Sequence, residues 1–388
     1  MKTNKPFPDK ANYVIIGGGI SGVSVAWHLA KKGAKDIVVL ESEYLSYGAT
    51  GRCGAGIRQQ WSTKANVLLA KKSIEFFENA QDLLDYDDDI EFKQEGYLIV
   101  GTDEEEDRAF KENVKLQQSL GVPAEFLTPK EAKEIVPHLN LDGVTSATYC
   151  KTDGHLNPFK MTDAFYKAAK RLGVSFFTHT KVNDITVKNG KIESVQTTKG
   201  TIEADVVINA AGGFAQDIGE MAGVEIPVKS QNREILVTEP IEKIQGPMVI
   251  SFSRNIYCQQ TPHGAFIMGR GDDRDFSQSM HSTHQFLEAM AKTATRLLPP
   301  IGQLRVIRQW AGLYNFSPDS QPIISGSKDV EGFYMACGFS GHGFMLAPMT
   351  GQIIREMVLG EPSSVDTESL SLARFEKGAA KTMEQNVV

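Results

Sequence analysis

The chain has 388 residues, of which 41% are hydrophobic and 23% are charged. This length allows two domains with sizeable cores, and this composition excludes both a small stapled scaffold and a disordered chain. Forty-one basic and 48 acidic side chains leave a net charge of -7, which disfavours nucleic acid as a partner because its phosphates are also negative.

The N-terminal segment and the cysteines indicate an intracellular setting. Residues 1–10 are polar, and the apolar run that follows, Tyr13–Ile16, is too short for a signal peptide or a membrane span. We therefore expect a cytoplasmic protein with no membrane span. The four cysteines are far apart and form no CxxC pair, so they predict neither disulfides nor a metal site.

The first predicted elements form a βαβ unit. A strand at Tyr13–Ile16 leads into a glycine-rich turn, a helix to about Lys32 and a second strand at Asp36–Leu40. Three more helices are predicted over Lys64–Asn79, Glu104–Leu120 and Pro158–Leu172.

From Val174 the pattern changes to short strands. These are predicted at Ser175–His179, Lys181–Val187, Lys191–Thr197 and Ala204–Asn209, with a hairpin between the second and third. The stretch Glu234–Gly269 holds several β-rich segments. The end of the chain returns to the first pattern, with a strand over Gly332–Ala336 and a helix over Met345–Leu359.

Gly17, Gly19 and Gly22 have the G-x-G-x-x-G spacing between the first strand and the first helix. These glycines permit a tight turn, a close approach of the backbone to a pyrophosphate, and packing of the helix on the strand. Glu41 ends the second strand, 19 residues after Gly22, where its carboxylate can accept from ribose hydroxyls. Such a turn also serves as a plain connection, but the strand, the helix and Glu41 together favour dinucleotide binding.

Two later glycine-rich segments favour flavin over nicotinamide. Residues 48–56 follow Glu41 closely, and Gly338–Gly343 joins a predicted strand to an apolar helix. Reduced flavin carries negative charge near N1 and O2, which a helix N-terminus with free backbone donors is suited to stabilise. The alternative is that both segments are ordinary loops.

The sequence resembles the FAD-dependent amino-acid and amine oxidoreductases that include D-amino-acid oxidase, glycine oxidase and sarcosine oxidase. The resemblance covers nearly the whole chain. Its motifs are Gly17–Gly22 with Glu41, Val206–Gly212, Trp310–Gly312 with Pro318–Pro322, and Gly338–Phe344. Within that family, Arg52–Gln60 looks most like the β subunits of dye-linked L-proline dehydrogenase and of heteromeric sarcosine oxidase.

The resemblance implies an α/β fold with a Rossmann-like FAD-binding domain that is discontinuous in sequence. A second α+β substrate domain is expected on a mostly antiparallel sheet. The expected boundaries are 1–90, 145–220 and 325–388 for the first domain, and 91–144 and 221–324 for the second.

The resemblance also implies a non-covalent FAD and its contacts. The residues expected to bind it are Gly17, Gly19, Ile20, Ser21, Gly22, Glu41, Ser42, Ala49, Thr50, Arg52, Cys53, Gly54, Val182, Ala210, Ala211, Gly212, Gly312, Gly338, Gly341, His342, Gly343, Phe344 and Met345.

Four catalytic residues are carried over from the family. Arg58 stands where sarcosine oxidases clamp the substrate carboxylate, for which a planar guanidinium is suited. Tyr257 and Tyr314 match pocket aromatics that can hold an amine by cation–π contact, and both can instead be core residues. His342 lies in the late glycine turn, near the flavin or in a purely structural role.

Three positions depart from the family pattern. Gly312 replaces the cysteine that bonds FAD in monomeric sarcosine oxidase, and Ile267 and Met345 replace lysines that act on oxygen and on the substrate carboxylate. His155 lies one residue out of register with a histidine that carries a second flavin, FMN, in heteromeric sarcosine oxidases. A second flavin at a subunit interface is therefore left open, without a covalent bond.

The expected reaction is hydride transfer to FAD from the α-carbon of a neutral amine in proline, sarcosine or a similar amino acid. Loss of a positive charge beside the flavin slows the reaction with oxygen, so electrons are expected to pass to a partner or a dye-like acceptor. The alternatives are a stand-alone oxidase that makes hydrogen peroxide and a non-catalytic flavin-binding subunit. An α-type partner subunit and a homo-oligomer both remain open.

Overall fold

The fold contains two large mixed sheets and a two-stranded ribbon. The computed structural model describes residues 6–271, 275–376 and 383–387. Its strands are β1 Lys10–Ile16, β2 Ile37–Leu40, β3 Gly56–Ile57, β4 Tyr97–Gly101, β5 Ala124–Leu127, β6 Ser146–Cys150, β7 Gly154–His155, β8 Ser175–Phe177, β9 Val182–Lys188, β10 Lys191–Thr197, β11 Gly200–Asn209, β12 Lys229–Thr238, β13 Met248–Ser251, β14 Ile256–Gln260, β15 Phe266–Gly269, β16 Val306–Phe316, β17 Ile323–Gly326 and β18 Phe333–Cys337.

The α-helices lie between these strands. They are α1 Ile20–Lys31, α2 Lys64–Glu78, α3 Ala80–Leu84, α4 Glu104–Ser119, α5 Pro129–Ile135, α6 Pro158–Arg171, α7 Ala215–Met221, α8 His284–Leu297 and α9 Gly343–Val358. A 3-10 helix, Ala49–Arg52, precedes β3.

The first sheet has the Rossmann-like arrangement that the sequence predicts. Its strand order is β17-β18-β11-β1-β2-β8, with the β9–β10 hairpin attached to β11. The central pairs are parallel, and β1 lies between β2 and β11. Alternate residues of β1 point to opposite faces, because Ile15 packs in the core that contains α1, α6 and α9 whereas Val14 packs in the core on the other side.

The second sheet is mostly antiparallel, in the order β16-β12-β15-β14-β13-β4-β6-β5. Only the pair β4–β13 is parallel among its described pairs. This arrangement confirms the predicted fold class. Strand β6 pairs with β4 and β5, so a division that follows the sheets returns to the first domain after Cys150 and not at residue 145. The domain boundaries themselves stay a prediction.

Several elements differ from the predicted bounds at their ends. Strand β1 begins at Lys10 and β11 begins at Gly200, because Lys10 pairs with Glu203 at the exposed end of the sheet. At this end the strands still pair through their backbones although the side chains of Lys10 and Glu203 are exposed. The apolar pattern of the sequence therefore does not show where the strands begin. Helix α9 starts at Gly343, two residues before the expected start, inside the glycine turn.

No described helix is both long enough and apolar enough to cross a membrane. No group of three or more metal-ligating side chains lies together in the described part of the chain.

His28 in α1 predicts a pH dependence of stability. Its ring is 9% exposed and Nε2 has no hydrogen-bond partner. Burial, with a smaller contribution from the charge of Arg355, lowers its pKa from 6.5 to about 3. In the unfolded chain His28 binds a proton below about pH 6.5, whereas in the folded chain it binds one only below about pH 3. Acidification from pH 6.5 to pH 3 therefore lowers the free energy of unfolding.

We expect His28 to remove about 3 kcal/mol of stability between pH 7 and pH 4. Urea unfolding at both pH values measures this. His28→Gln should have a shallower pH dependence than the wild type, whereas His138→Gln, at an exposed position, should leave it unchanged. Equal slopes for the wild type and His28→Gln would contradict the prediction.

Candidate functional site

The larger of two adjoining cavities begins where β1 passes into α1. Its volume is about 1290 Å³, and Gly17, Gly19, Ile20 and Ser21 line it. Gly17 has φ +117°, and a Cβ there would lie 2.3 Å from the carbonyl oxygen of Ala210. The chain therefore needs glycine at this turn, and the N–H groups of the first helical turn border the cavity.

Glu41 holds the same turn from the end of β2. Its carboxylate accepts a hydrogen bond from the Gly18 N–H at 2.7 Å and another from the Glu43 N–H at 2.8 Å. Oε2, which accepts only from Gly18 among these donors, has a further lone pair, and Glu41 lines the cavity. It is therefore placed to accept a hydrogen bond from a sugar hydroxyl.

The second glycine-rich segment packs against the start of α1. Thr50 Oγ1 accepts from the Ile20 N–H at 3.0 Å, which caps a helix whose own N-cap residue, Gly19, has no side chain to do so. Arg52 donates to the carbonyls of Tyr47 at 2.9 Å and Ala311 at 3.0 Å. These bonds tie residues 47–52 to strand β16 at the cavity wall.

The third segment brings the N-terminus of α9 to the same cavity. Gly341 has φ +98°, and a Cβ there would lie 2.3 Å from the ring of Tyr314. The Gly338 N–H donates to Asn315 Oδ1 at 2.7 Å. Gly341 and Gly343 line the cavity together with Gly17 and Ala49, so segments separated by some 300 residues of sequence meet around one space.

These features fit FAD. A Cβ at Gly17 would fill the turn, the N-terminus of α1 suits a pyrophosphate, and Glu41 suits a ribose. A second helix N-terminus, that of α9, borders the same cavity, and its positive end suits the negative charge of a reduced ring system.

The smaller cavity adjoins the larger one and has a volume of about 590 Å³. Cys53, Tyr257, Tyr314, Gly341 and Phe344 line both. Its other walls are Gly54, Ala55, Gly56, Arg58, Trp61, Tyr97, Met248, Ile250, Ser340, His342, Met345 and Val387. The lining is thus mainly aromatic and aliphatic, with one cationic side chain.

That cation is Arg58, which is 4% exposed. Its guanidinium lies 3.8 Å from the ring centroid of Trp61 and donates to the carbonyls of Gln60 at 3.0 Å and Asn386 at 2.6 Å. Burial lowers the pKa of Arg58. Both partners are neutral, and no described carboxylate lies within 4.0 Å of it, so an anionic ligand in the cavity would stabilise the charged form.

His342 lies beside Arg58 as an uncharged ring. It is 2% exposed, its centroid is 4.5 Å from that of Trp61, and neither ring nitrogen has a hydrogen-bond partner in the described structure. Burial, followed by the charge of Arg58, lowers its pKa to about 3. A neutral imidazole with free nitrogens at a cavity wall can donate to a ligand or accept from it.

Three tyrosines surround the cavity as neutral phenols. Burial raises the pKa of Tyr97, Tyr257 and Tyr314 above the ordinary value. Glycines make room for them: a Cβ at Gly56 would overlap the Tyr97 hydroxyl, and a Cβ at Gly269 would lie 2.3 Å from that of Tyr257. Both tyrosines expected from the sequence therefore face the site.

A buried carboxylate supports the segment after β3 that carries Arg58. Asp153 is 0% exposed and accepts from the Gln59 N–H at 2.9 Å and from Gln60 Nε2 at 3.0 Å. Burial raises its pKa to about 6, although these hydrogen bonds oppose the shift. Asp153 thereby orients the two residues that follow Arg58.

Most of the predicted site residues line one cavity or both. Those at the larger cavity are Gly17, Gly19, Ile20, Ser21, Glu41, Ala49, Thr50, Arg52, Cys53, Ala210, Ala211, Gly212, Gly312, Gly341, Gly343 and Phe344. Those at the smaller one include Gly54, Arg58, Tyr257, Tyr314, His342 and Met345.

Four predicted cofactor residues line neither cavity. Gly22 packs on the turn, where a Cβ would lie 2.0 Å from the Gly17 carbonyl oxygen. Gly338 turns the chain at φ +67°. Ser42 is exposed and donates to Glu41 Oε1 at 3.2 Å, and Val182 is 5% exposed in the core beneath β9. His155 also lines neither; its Nε2 lies 3.7 Å from Glu95 Oε2.

Sequence reasoning missed several residues that line the cavities. At the smaller cavity these include Trp61, Tyr97 and Val387, and at the larger one Tyr47, Arg233 and Glu234. Trp61 directly follows the Arg52–Gln60 motif, so its position next to that motif could have identified it. Tyr97 and Val387 come from distant elements that no local pattern connects to the motif.

Comparisons with known proteins agree with this geometry. Residues 12–357 match the family model DAO, FAD dependent oxidoreductase. The β subunit of sarcosine oxidase from Arthrobacter sp is 30% identical over 380 residues, which cover 96% of this chain and 93% of the relative. The corresponding subunit from Rhodobacter capsulatus is 26% identical and covers 96% and 91%.

The solved structures give the same result. L-proline dehydrogenase from P.horikoshii superposes with a TM-score of 0.91 at 38% identity, covering 96% of this chain and 99% of that one. Glycine oxidase from Geobacillus kaustophilus has a TM-score of 0.87 at 22% identity over 94% and 99%, a likeness of fold. The resemblance inferred from the sequence is thereby confirmed, and the chain belongs to the DAO family of FAD-dependent oxidoreductases.

Proposed function

We propose that this protein oxidises the C–N bond of a small amino acid or N-alkyl amino acid, such as proline or sarcosine, with non-covalent FAD. Electrons then pass to a partner or a dye-like acceptor. The observation that carries the proposal is the buried Arg58 guanidinium, which reaches a mainly apolar cavity without a carboxylate partner in the described structure.

Arg58 is suited to the carboxylate of an amino acid. A guanidinium has five N–H donors, and two of them are used by the carbonyls of Gln60 and Asn386. The remaining donors and the charge, which no described carboxylate pairs at close range, can bind a substrate carboxylate with two hydrogen bonds. A substrate without a negative charge would leave this buried cation unpaired.

The other walls are suited to an uncharged amine. The three tyrosine rings and the neutral His342 surround the cavity, and this desolvated setting lowers the pKa of a substrate ammonium group, so the amine loses its proton more readily. No separate strong base is then needed. When FAD is bound, it supplies the chemistry of a two-electron oxidation.

The names of the relatives support a secondary amino acid as substrate. Sarcosine and L-proline appear in the names of the most similar proteins described above. The name "subunit beta" also supports a partner subunit for this chain. The second flavin and the cytoplasmic location stay predictions.

The position of Ile267 supports an acceptor other than oxygen. No lysine lines either cavity in the described part of the chain. Ile267, which stands where the resemblance to monomeric sarcosine oxidase expects the oxygen-activating lysine, has its side chain 3.9 Å from the ideal Cβ position of Gly54, a wall of the smaller cavity. Oxygen gains negative charge when it takes an electron, and an apolar neighbour does not stabilise that charge.

Ile267→Lys should therefore speed the oxygen reaction. We expect reoxidation of the reduced protein by oxygen to rise at least about 10-fold, with little change in the rate with a dye. Stopped-flow mixing with aerated buffer measures it. Ala265→Lys adds the same charge two residues earlier and should change it little; an equal gain in both variants would remove Ile267 from this role.

Anaerobic mixing with a panel of amino acids tests the function itself. Proline or sarcosine should bleach the flavin absorbance of the purified protein. Bleaching followed by peroxide formation at the rate of dye reduction would favour a stand-alone oxidase. No bleaching with any amino acid would favour a non-catalytic flavin-binding subunit.

A further inference from the structure

A segment near the C-terminus returns to the smaller cavity. Val387 lines that cavity together with Arg58, which lies more than 300 residues earlier in the sequence. Glu384 and Asn386 are 2% and 5% exposed, whereas Met383 is 60% exposed. The Glu384 N–H donates to the carbonyl of Asp319 at 3.0 Å. Residues 384–387 thus lie against the protein with one side turned to the site.

Glu384 anchors this segment at the N-terminus of α2. Its carboxylate accepts from the N–H groups of Ser62 at 2.9 Å and Thr63 at 3.2 Å. It also accepts from both hydroxyls, at 2.6 and 2.8 Å, and from Asn66 Nδ2 at 2.9 Å. Helix α2 has no cap from its own N-cap side chain. A carboxylate there satisfies free N–H groups and complements the positive end of the helix dipole.

Asn386 continues from this anchor to the guanidinium. Its carbonyl accepts from Arg58 Nη2 at 2.6 Å, and its side chain donates to the Gln60 carbonyl at 3.0 Å. That same Gln60 carbonyl accepts from Arg58 Nη1 at 3.0 Å. The three residues therefore close a ring of hydrogen bonds that restricts where the guanidinium can point.

Val387 then completes the cavity wall. It follows Asn386 directly, it is half-buried, and it packs against the same core as Trp61 and Phe344. An apolar side chain at this position limits the volume available to a ligand bound at Arg58.

We propose that Glu384, Asn386 and Val387 are part of the substrate site. Glu384 and Asn386 are positioning residues that act through Arg58, and Val387 is a residue that sets the size of substrate accepted. This inference rests on the proposed function, because it concerns the substrate carboxylate and the substituent on its nitrogen or α-carbon.

The first test follows the anchor by hydrogen exchange. In the wild-type holoprotein, the amides of Glu384, Gln385 and Asn386 should be protected, since each donates a hydrogen bond. Glu384→Ala should increase their exchange at least about 10-fold, whereas Met383→Ala, at an exposed side chain, should not. Fast exchange already in the wild type would overturn the inference, and this result does not depend on any activity.

The second test separates positioning from general damage. Glu384→Ala should raise the KM for the carboxylate substrate about 10-fold and leave that for pyrrolidine, which lacks the carboxylate, unchanged, with FAD content as in the wild type. An equal effect on both compounds would overturn the positioning role. Glu384→Asp should restore part of the loss.

The third test compares N-alkyl glycines of increasing size. Val387→Ala should raise kcat/KM for N-propylglycine relative to sarcosine about 10-fold, and Val387→Phe should lower it. If the wild type oxidises amino acids but both variants keep its ratio, the role of Val387 is wrong and the proposed function stands. If the wild type oxidises none, the proposed function is wrong, and this inference is overturned with it.

Discussion

Replacement of Arg58 with methionine should lower kcat/KM for the amino-acid substrate roughly 100-fold. This corresponds to a loss of about 3 kcal/mol of transition-state stabilisation. Methionine has a similar length but carries neither the charge nor the N–H donors that face the smaller cavity. The effect should appear mainly in KM, because the carboxylate does not react and is bound alike before and during the reaction. Steady-state rates with a dye acceptor measure both constants.

Two comparisons make this result specific to the carboxylate. Arg58→Met should oxidise pyrrolidine at least as fast as the wild type does, because pyrrolidine has no carboxylate to lose a partner and leaves a buried cation unpaired only in the wild type. Arg58→Lys should show an intermediate loss, since it keeps the charge without the planar fork. FAD content should be unchanged in both variants. An unchanged KM for the amino acid would remove Arg58 from the substrate site.

Arg355→Lys is a useful control for the cost of altering a buried arginine. Arg355 is 7% exposed and forms ion pairs with Glu356 and Glu361 on α9 and just beyond it. It lines neither cavity. This variant should change thermal stability without changing the KM, so a KM effect of equal size would indicate indirect damage.

Gly17→Ala should leave the purified protein with little FAD. The new Cβ would lie 2.3 Å from the Ala210 carbonyl oxygen at a φ of +117°, so β1, β11 or the turn must move, and the N–H groups that suit the pyrophosphate move with it. We expect the affinity for FAD to fall at least about 10-fold. The ratio of flavin to protein absorbance and a titration with added FAD measure it.

Gly33→Ala provides the matched control. Gly33 also has a positive φ, +95°, but nothing lies within 4 Å of its Cβ position. Both variants therefore carry the backbone strain of about 1–2 kcal/mol, and only Gly17→Ala adds the clash. Should Gly17→Ala fail to fold, Gly19→Ala makes the same test, because its Cβ meets only Thr50 Oγ1, at 3.0 Å. Full FAD content in both glycine-turn variants would contradict the assignment of the larger cavity.

The local sequence was sufficient to predict most of the glycine-turn residues that line the larger cavity. The turn at Gly17, the helix that follows and Glu41 lie within 25 residues of one another, and their spacing expresses a requirement of the backbone that few other structures share. For the same reason the order of strands and helices was enough to predict the class of the first sheet. Val182 is also predicted to contact FAD, but its side chain is buried in the core at strand β9 and lines neither cavity. That contact stays a prediction.

The smaller cavity depends on contacts between distant segments. Arg58 is recognisable by its resemblance to a motif, but the partners that orient it, Gln60 and Asn386, are 2 and 328 residues away. Tyr97 reaches the cavity because strand β4, which carries it, pairs with β13. Val387 reaches the cavity because Glu384, three residues earlier, binds at the N-terminus of the helix that begins at residue 64. Short-range sequence patterns predict backbone turns and helix starts, because residues close together in the sequence determine them. The shape of an enclosed space is set by which strands pair and which segments pack, and these long-range contacts leave no periodic trace in the chain.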